Sequence, residues 1–302
     1  MKTYPKNRGK KDTDYLMTGS DNTIEITPDF IDLEKVIKSK SVSLNNMLPR
    51  FIKSYLKRII HQDEINSVIY RNRDKDGLAF VDAILAEFGA NLVVSGDENI
   101  SSTGRFIIAS NHPLGGLDGL ALMHLAGKKR PDIVFPVNDI LMNLPQLRSL
   151  FIPINKHGSN AENAKIIDDT YASDKAILYF PAGLCSRKQP GGICDLEWKK
   201  SFITKARKHK RDIIPCHVDG RNSDWFYNLA RFRNRLKIKA NIEMLYLVDE
   251  MYRQHNKTLK IIFGKPIPWQ TFDKNHTDLE WAQLVKAHVY KLEDNPLENF
   301  DN

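Results

Sequence analysis

The sequence predicts an α/β fold: a mixed, mostly parallel sheet with helices on both faces, preceded by an N-terminal helical section. Three observations carry this expectation. From Asn91 onward, apolar runs of strand length alternate with stretches whose apolar residues recur at three- and four-residue steps, as in sheets whose strands are joined by helices. Before residue 91 the helical period dominates. The chain has 302 residues, 41% of them hydrophobic, which suits one large core with an added helical section.

Taken in order, residues 1–27 are polar, lysine-rich at first and without periodicity, and read as a loosely ordered tail. Thr27-Pro28-Asp29 looks like a helix start, with proline near the first helical position. Between Leu44 and Ile60 an apolar stripe runs through Met47, Leu48, Phe51, Ile52, Tyr55, Leu56 and Ile59, and Pro49 is placed to start the main helix. Asp63 to Tyr70 and Asp76 to Gly89 complete a four-helix section over 28–90, leaving 91–302 for the α/β domain. Strands are expected at 91–95, 105–110, 132–137, 151–154, 176–180, 212–217, 241–248 and 258–263. Helices are expected at 118–127, 159–173, 195–209, 223–237 and 277–293. The strands near 91–110 and 241–263 are candidates for antiparallel edges.

The chemistry concentrates at Asn111-His112-Pro113-Leu114-Gly115-Gly116-Leu117-Asp118-Gly119, between strand 105–110 and helix 118–127. The carboxyl ends of strands are where open α/β sheets bind ligands. A histidine and an aspartate on one such turn suit general-base chemistry, because the carboxylate fixes the imidazole tautomer and offsets the charge it gains. A tight turn whose aspartate caps the next helix explains the same residues equally well. A second stretch shifts the balance: Phe180-Pro181-Ala182-Gly183-Leu184-Cys185-Ser186-Arg187-Lys188 again follows a strand candidate. There Gly183 permits close backbone approach, and the planar fork of Arg187 suits a phosphate or carboxylate. Gly191-Gly192 suggests a loop over the site, and Asp195 reads as the cap of the following helix. Ser110 lacks a G-x-S-x-G setting and is not expected to be a nucleophile.

Together the two stretches resemble the lysophosphatidate/glycerolipid acyltransferase family, whose signatures are Asn-His, four residues and Asp, then Phe-Pro-Glu-Gly-Thr and Ser-Arg. The likeness covers about residues 90–270 and is strongest to the branch often labelled hemolysin, which shares the Asn-His-Pro-Leu-Gly-Gly-Leu-Asp-Gly stretch. Two departures stand out: five residues separate His112 from Asp118, and Ala182 replaces the glutamate. Gly115-Gly116 can absorb the extra residue as a bulge. The resemblance implies an O-acyltransferase that moves a fatty acyl chain from an acyl-carrier-protein or coenzyme A thioester to the hydroxyl of an anionic lyso-lipid. The acceptor's head would be a phosphate, as in lysophosphatidate, or a carboxylate, as in an N-acyl amino-acid lipid. It implies His112 as base, Asp118 as its orienting partner, Asn111 holding the loop, and Gly183, Ser186, Arg187 and Lys188 around the head. The thioester is a co-substrate, so no cofactor is expected. No metal is expected either, because the histidines lack ligand spacing.

The charge balance, 45 Lys+Arg against 37 Asp+Glu for a net +8, favours an acidic partner: an anionic membrane, an acidic carrier protein or nucleic acid. Basic residues crowd 199–211 and 231–239, the latter interleaved with Trp225, Phe226, Tyr227 and Phe232. No nucleic-acid-binding signature accompanies them, and that partner is discounted. The 44–60 stripe, flanked by Arg50, Lys53, Lys57 and Arg58, fits a helix lying on a membrane surface or one packed on the core. No apolar run reaches the roughly 18 residues of a membrane span, and no signal peptide is evident. Cys185, Cys194 and Cys216 form no Cys-x-x-Cys pair, which points to a reducing compartment. These readings place the protein in the cytoplasm, peripheral on the inner face of the cell membrane. The competing reading is a non-catalytic, hemolysin-like membrane binder.

Overall fold

The computed structural model describes residues 30–137, 141–153 and 160–301. The expected tail over 1–27 and the helix start at Pro28 lie outside the described residues. The helical section comprises α1 (Leu33–Lys40), α2 (Val42–Met47), α3 (Arg50–Ile59), α4 (Gln62–Arg71) and α5 (Gly77–Glu87). Asp32 caps α1 by accepting the N–H groups of Glu34 and Lys35. Pro49 stands at the N-cap of α3, the main helix of the stripe, as expected, and the part of the stripe before it belongs to the separate α2.

The α/β part runs β1 (Asn91–Ser95), β2 (Phe106–Ser110), α6 (Leu117–Gly127), β3 (Phe135–Val137), β4 (Phe151–Pro153), α7 (Asn160–Ala172) and β5 (Ile177–Tyr179). It continues through β6 (Arg187–Gln189), β7 (Gly192–Cys194), α8 (Ser201–His209), β8 (Asp212–Val218), α9 (Asp224–Arg235), α10 (Leu247–Tyr252), β9 (Thr258–Phe263) and α11 (Asp278–Lys291). The central sheet has the order β1-β9-β8-β2-β5. Every neighbouring pair is parallel except β8 and β9. The fold class is therefore the expected mixed, mostly parallel sheet with helices on both faces.

β2 lies between β8 and β5 and is buried along its whole length, as a strand covered on both faces must be. Its alternation divides two cores. Phe106 and Ile108 face the core built by α5 and α6, whereas Ile107 and Ala109 join Trp198, Phe202 and Trp281 beneath α8 and α11. A capping box between Thr277 and Glu280 starts α11.

Three expectations are corrected. Residues 241–248 are not a strand: a 3₁₀ turn over Ile242–Tyr246 leads into α10. The reason is packing, since Leu247 and Met251, four residues apart, both reach the glycine turn after β2. The edge strand β1 pairs in parallel with β9, and the antiparallel contact lies inside the sheet, between β9 and β8. Helix 195–209 begins only at Ser201, because Asp195 caps nothing and its carboxylate is engaged elsewhere.

Candidate active site

The first site element is the turn leaving β2. Asn111 exchanges two hydrogen bonds with Val218 at the end of β8: its amide donates to the Val218 carbonyl at 2.9 Å and its oxygen accepts the Val218 N–H at 2.7 Å. The two adjacent strand ends are thereby tied together, and the chain can leave the sheet at a fixed angle. Gly115 then adopts φ +85°, and a Cβ there would approach Leu247 Cδ2 to 2.8 Å. Only glycine suits both constraints. This left-handed residue lies in the turn across which His112 and Asp118 pair.

Asp118, in the first turn of α6, is fully buried. Its Oδ2 accepts from His112 Nδ1 at 2.9 Å, Leu114 N–H at 2.9 Å and Gly115 N–H at 3.3 Å, while Oδ1 accepts the Gly119 N–H at 2.9 Å. Nδ1 thus carries the proton, and Nε2 is left as the acceptor. The Phe180 ring stacks on the imidazole, centroids 3.9 Å apart and 17° from parallel, which restricts rotation of the histidine. The Gly115 N–H is thus committed to Asp118.

Burial alone would lower the His112 pKa, but the charge and hydrogen bond of Asp118, with the charge of Asp195, raise it overall above its ordinary 6.5. For Asp118, burial pulls upward and the His112 pairing prevails, so its carboxyl titrates lower than usual. To act as a base His112 would have to be neutral, and falling pH protonates it at its raised pKa. We expect kcat/KM to decline on the acid side with a midpoint above 6.5, a pH–rate profile being the check.

The second element packs on the first. Ser186 N–H donates to the His112 carbonyl at 2.8 Å, which fastens the 180–186 segment to the histidine's own backbone. Gly183 has φ +67° and is exposed. Ser186 is buried and donates its hydroxyl to Asp195 Oδ1 at 2.6 Å. Arg187 is also buried: it bonds the Cys185 carbonyl at 2.6 Å and pairs with Glu243 at 3.1 Å. Glu243 also takes Arg233 at 2.7 Å. Lys188 is exposed on β6. The expected loop at Gly191-Gly192 is the tip of the β6–β7 hairpin.

The structure therefore brings His112, Asp118, Asn111, Gly183, Ser186 and Arg187 into one contiguous unit. The side chains of Asn111, Ser186 and Arg187 bond to protein groups, and His112, Gly183 and Lys188 keep solvent access. Sequence reasoning missed Asp195, Glu243 and the ring of Phe180. Glu243 stands among Ile242, Met244, Leu245 and Tyr246, and a lone carboxylate in an apolar run is the signal that marks it.

An acyltransferase family pattern matches residues 35–298. The chain belongs to the acyltransferase family. This acyltransferase is 49% identical over 276 residues to the lyso-glycine lipid O-acyltransferase of Phocaeicola vulgatus, covering 90% of this chain and 99% of that protein. It is likewise 49% identical over 264 residues to the enzyme of the same name from Bacteroides thetaiotaomicron, covering 87% and 97%. Among solved structures it is similar to the 1-acyl-sn-glycerophosphate acyltransferase of Thermotoga maritima, with TM-score 0.46 and 16% identity over 81% of this chain and 98% of that one.

Proposed function

We propose that this acyltransferase esterifies the hydroxyl of a lyso-glycine lipid, an N-acyl amino-acid lipid with a carboxylate head. The buried His112–Asp118 pair with Nε2 open carries the chemistry of this reading, and the names of the relatives support the acceptor. The acceptor's O–H proton passes to His112 Nε2 as its oxygen attacks the thioester carbonyl carbon. The tetrahedral intermediate then collapses, the C–S bond breaks, and the imidazolium returns the proton to the departing thiolate. Acyl carrier protein or coenzyme A supplies that thiol. A non-catalytic binder has no use for this arrangement.

Arg187 is paired, and the cation at the rim is Lys199. Its ammonium lies against Gly183, 2.9 Å from where a Cβ would stand, and its side chain makes no hydrogen bond or ion pair among the described residues. A carboxylate head resting on Gly183 would meet it. Lys199→Ala should raise the acceptor KM about tenfold, a charge-assisted hydrogen bond contributing roughly 1.5 kcal/mol or more, and leave the KM of the acceptor's methyl ester unchanged. An equal rise for both acceptors would sink the head-group role.

The same reading includes an anionic bilayer as the surface from which the acceptor is drawn. Ile59 is buried and Ile52 and Leu56 are half-buried, but Met47 and Phe51 are each 73% exposed. Tyr55 of α3 bonds Tyr246 at 2.7 Å, and Tyr246 packs on Trp225 of α9, which also exposes Phe232 and Leu236. Arg50, Arg58, Arg231 and Arg235 lie exposed on the same elements. Aromatic and aliphatic groups among cations suit the lipid interface. No described helix is long and apolar enough to cross a membrane. Phe51→Ala with Trp225→Ala should weaken partitioning onto phosphatidylglycerol vesicles about tenfold or more, as measured by sedimentation.

A further inference from the structure

Asp195 is a buried carboxylate that neither motif accounts for. Its Oδ1 accepts the His112 backbone N–H at 3.2 Å and the Ser186 hydroxyl at 2.6 Å, and its Oδ2 accepts the Trp198 indole N–H at 2.9 Å. Its own N–H donates to Tyr290 Oη at 2.8 Å, and its carbonyl accepts Lys286 Nζ at 2.7 Å. Among the described residues, no lysine or arginine forms an ion pair with the carboxylate. Every neighbour of the carboxylate donates to it, which is the pattern of an ionised acceptor. A buried charge without a cation is costly, and its placement calls for a compensating group.

We propose that Asp195 is a positioning residue for the base: it clamps the His112 loop to the Ser186 segment and sets a second negative charge beside the imidazole. The cation it faces forms during turnover, when His112 takes the acceptor's proton. The inference rests on His112 being the base. The charged and titratable groups around that ring are Asp118 from α6, Asp195 after β7 and Arg187 from β6, the last opposing the two carboxylates. Cys185, between them, is pushed by burial up to about 11 and stays neutral. Burial raises the Asp195 carboxyl too, against the donors of Ser186, Trp198 and His112.

The test is steady-state kinetics against pH for the full-length Asp195→Asn, Asp195→Glu and Ser186→Ala proteins. Asp195→Asn should lower kcat roughly ten- to a hundredfold, part of the 10²–10⁴ that a positioned base supplies. Its acceptor KM should stay near wild type, and the acid limb should move down by roughly one pH unit, the effect of one lost neighbouring charge. Ser186→Ala removes one donor that favours the ionised carboxylate and should move the limb the same way but by less. An unmoved limb in Asp195→Asn, or a larger shift in Ser186→Ala than in Asp195→Asn, overturns the proposal. If Asp195→Asn does not fold, Asp195→Glu decides: a wild-type limb with reduced kcat supports the inference and a displaced limb overturns it. Unaltered transfer by His112→Ala would instead defeat the base assignment itself, so the two failures are distinguishable.

Discussion

His112→Ala should lower kcat by about 10²–10⁴ with little change in acceptor KM, because it removes the proton acceptor without disturbing the surfaces that hold substrate. The imidazole is 16% exposed and stacks on Phe180, so melting curves accompany the kinetics. Asp118→Asn should cost as much, up to about 10⁴, for a different reason. Its Oδ2 takes three donors at once, His112 Nδ1 and the N–H groups of Leu114 and Gly115. An amide oxygen in that place carries no charge to offset the imidazolium, and an amide nitrogen there turns a donor toward donors. Equal loss in both variants, measured at a temperature where melting curves show each to be folded, is the expected outcome. Near-normal kcat in either variant would remove the pair from the chemistry.

Glu243→Ala should be the most destabilising of the single changes considered. Its carboxylate is fully buried and holds Arg187 and Arg233, themselves 8% and 11% exposed in their side chains. Removing one partner of such a buried network leaves two guanidinium groups without their counter-charge, at about 3–5 kcal/mol. A fall in melting temperature on the order of 10 °C follows, measurable by calorimetry. A fall of only a degree or two would mean that water reaches these arginines readily.

The His112–Asp118 turn is legible in the sequence because its signals are local. A strand, two glycines and a helix fix where His112 and Asp118 sit, and six positions of separation leave few ways to arrange them. β2, α6, β5 and β8 were readable for the same reason, each being a run with a single period. What escaped depends on contacts far apart in sequence. Asp195 looked like a helix cap, since nothing local reveals that His112, 83 residues away, donates to it. Residues 241–248 are an apolar run of strand length, and the fit of Leu247 and Met251 over Gly115 and Gly116 makes them helical. Arg187 shows the limit of residue type as evidence. A guanidinium suited to an anionic ligand suits a buried glutamate equally, and Glu243 lies 56 residues on.

The measurement that bears most directly on the account is transfer of a labelled acyl chain by the wild-type protein, from acyl carrier protein and coenzyme A thioesters, to lyso-glycine lipid and to lysophosphatidate side by side. The account predicts ester formation on the glycine lipid at a kcat/KM well above that for lysophosphatidate. Transfer to lysophosphatidate alone, or none to either acceptor from protein that still binds anionic vesicles, would contradict it.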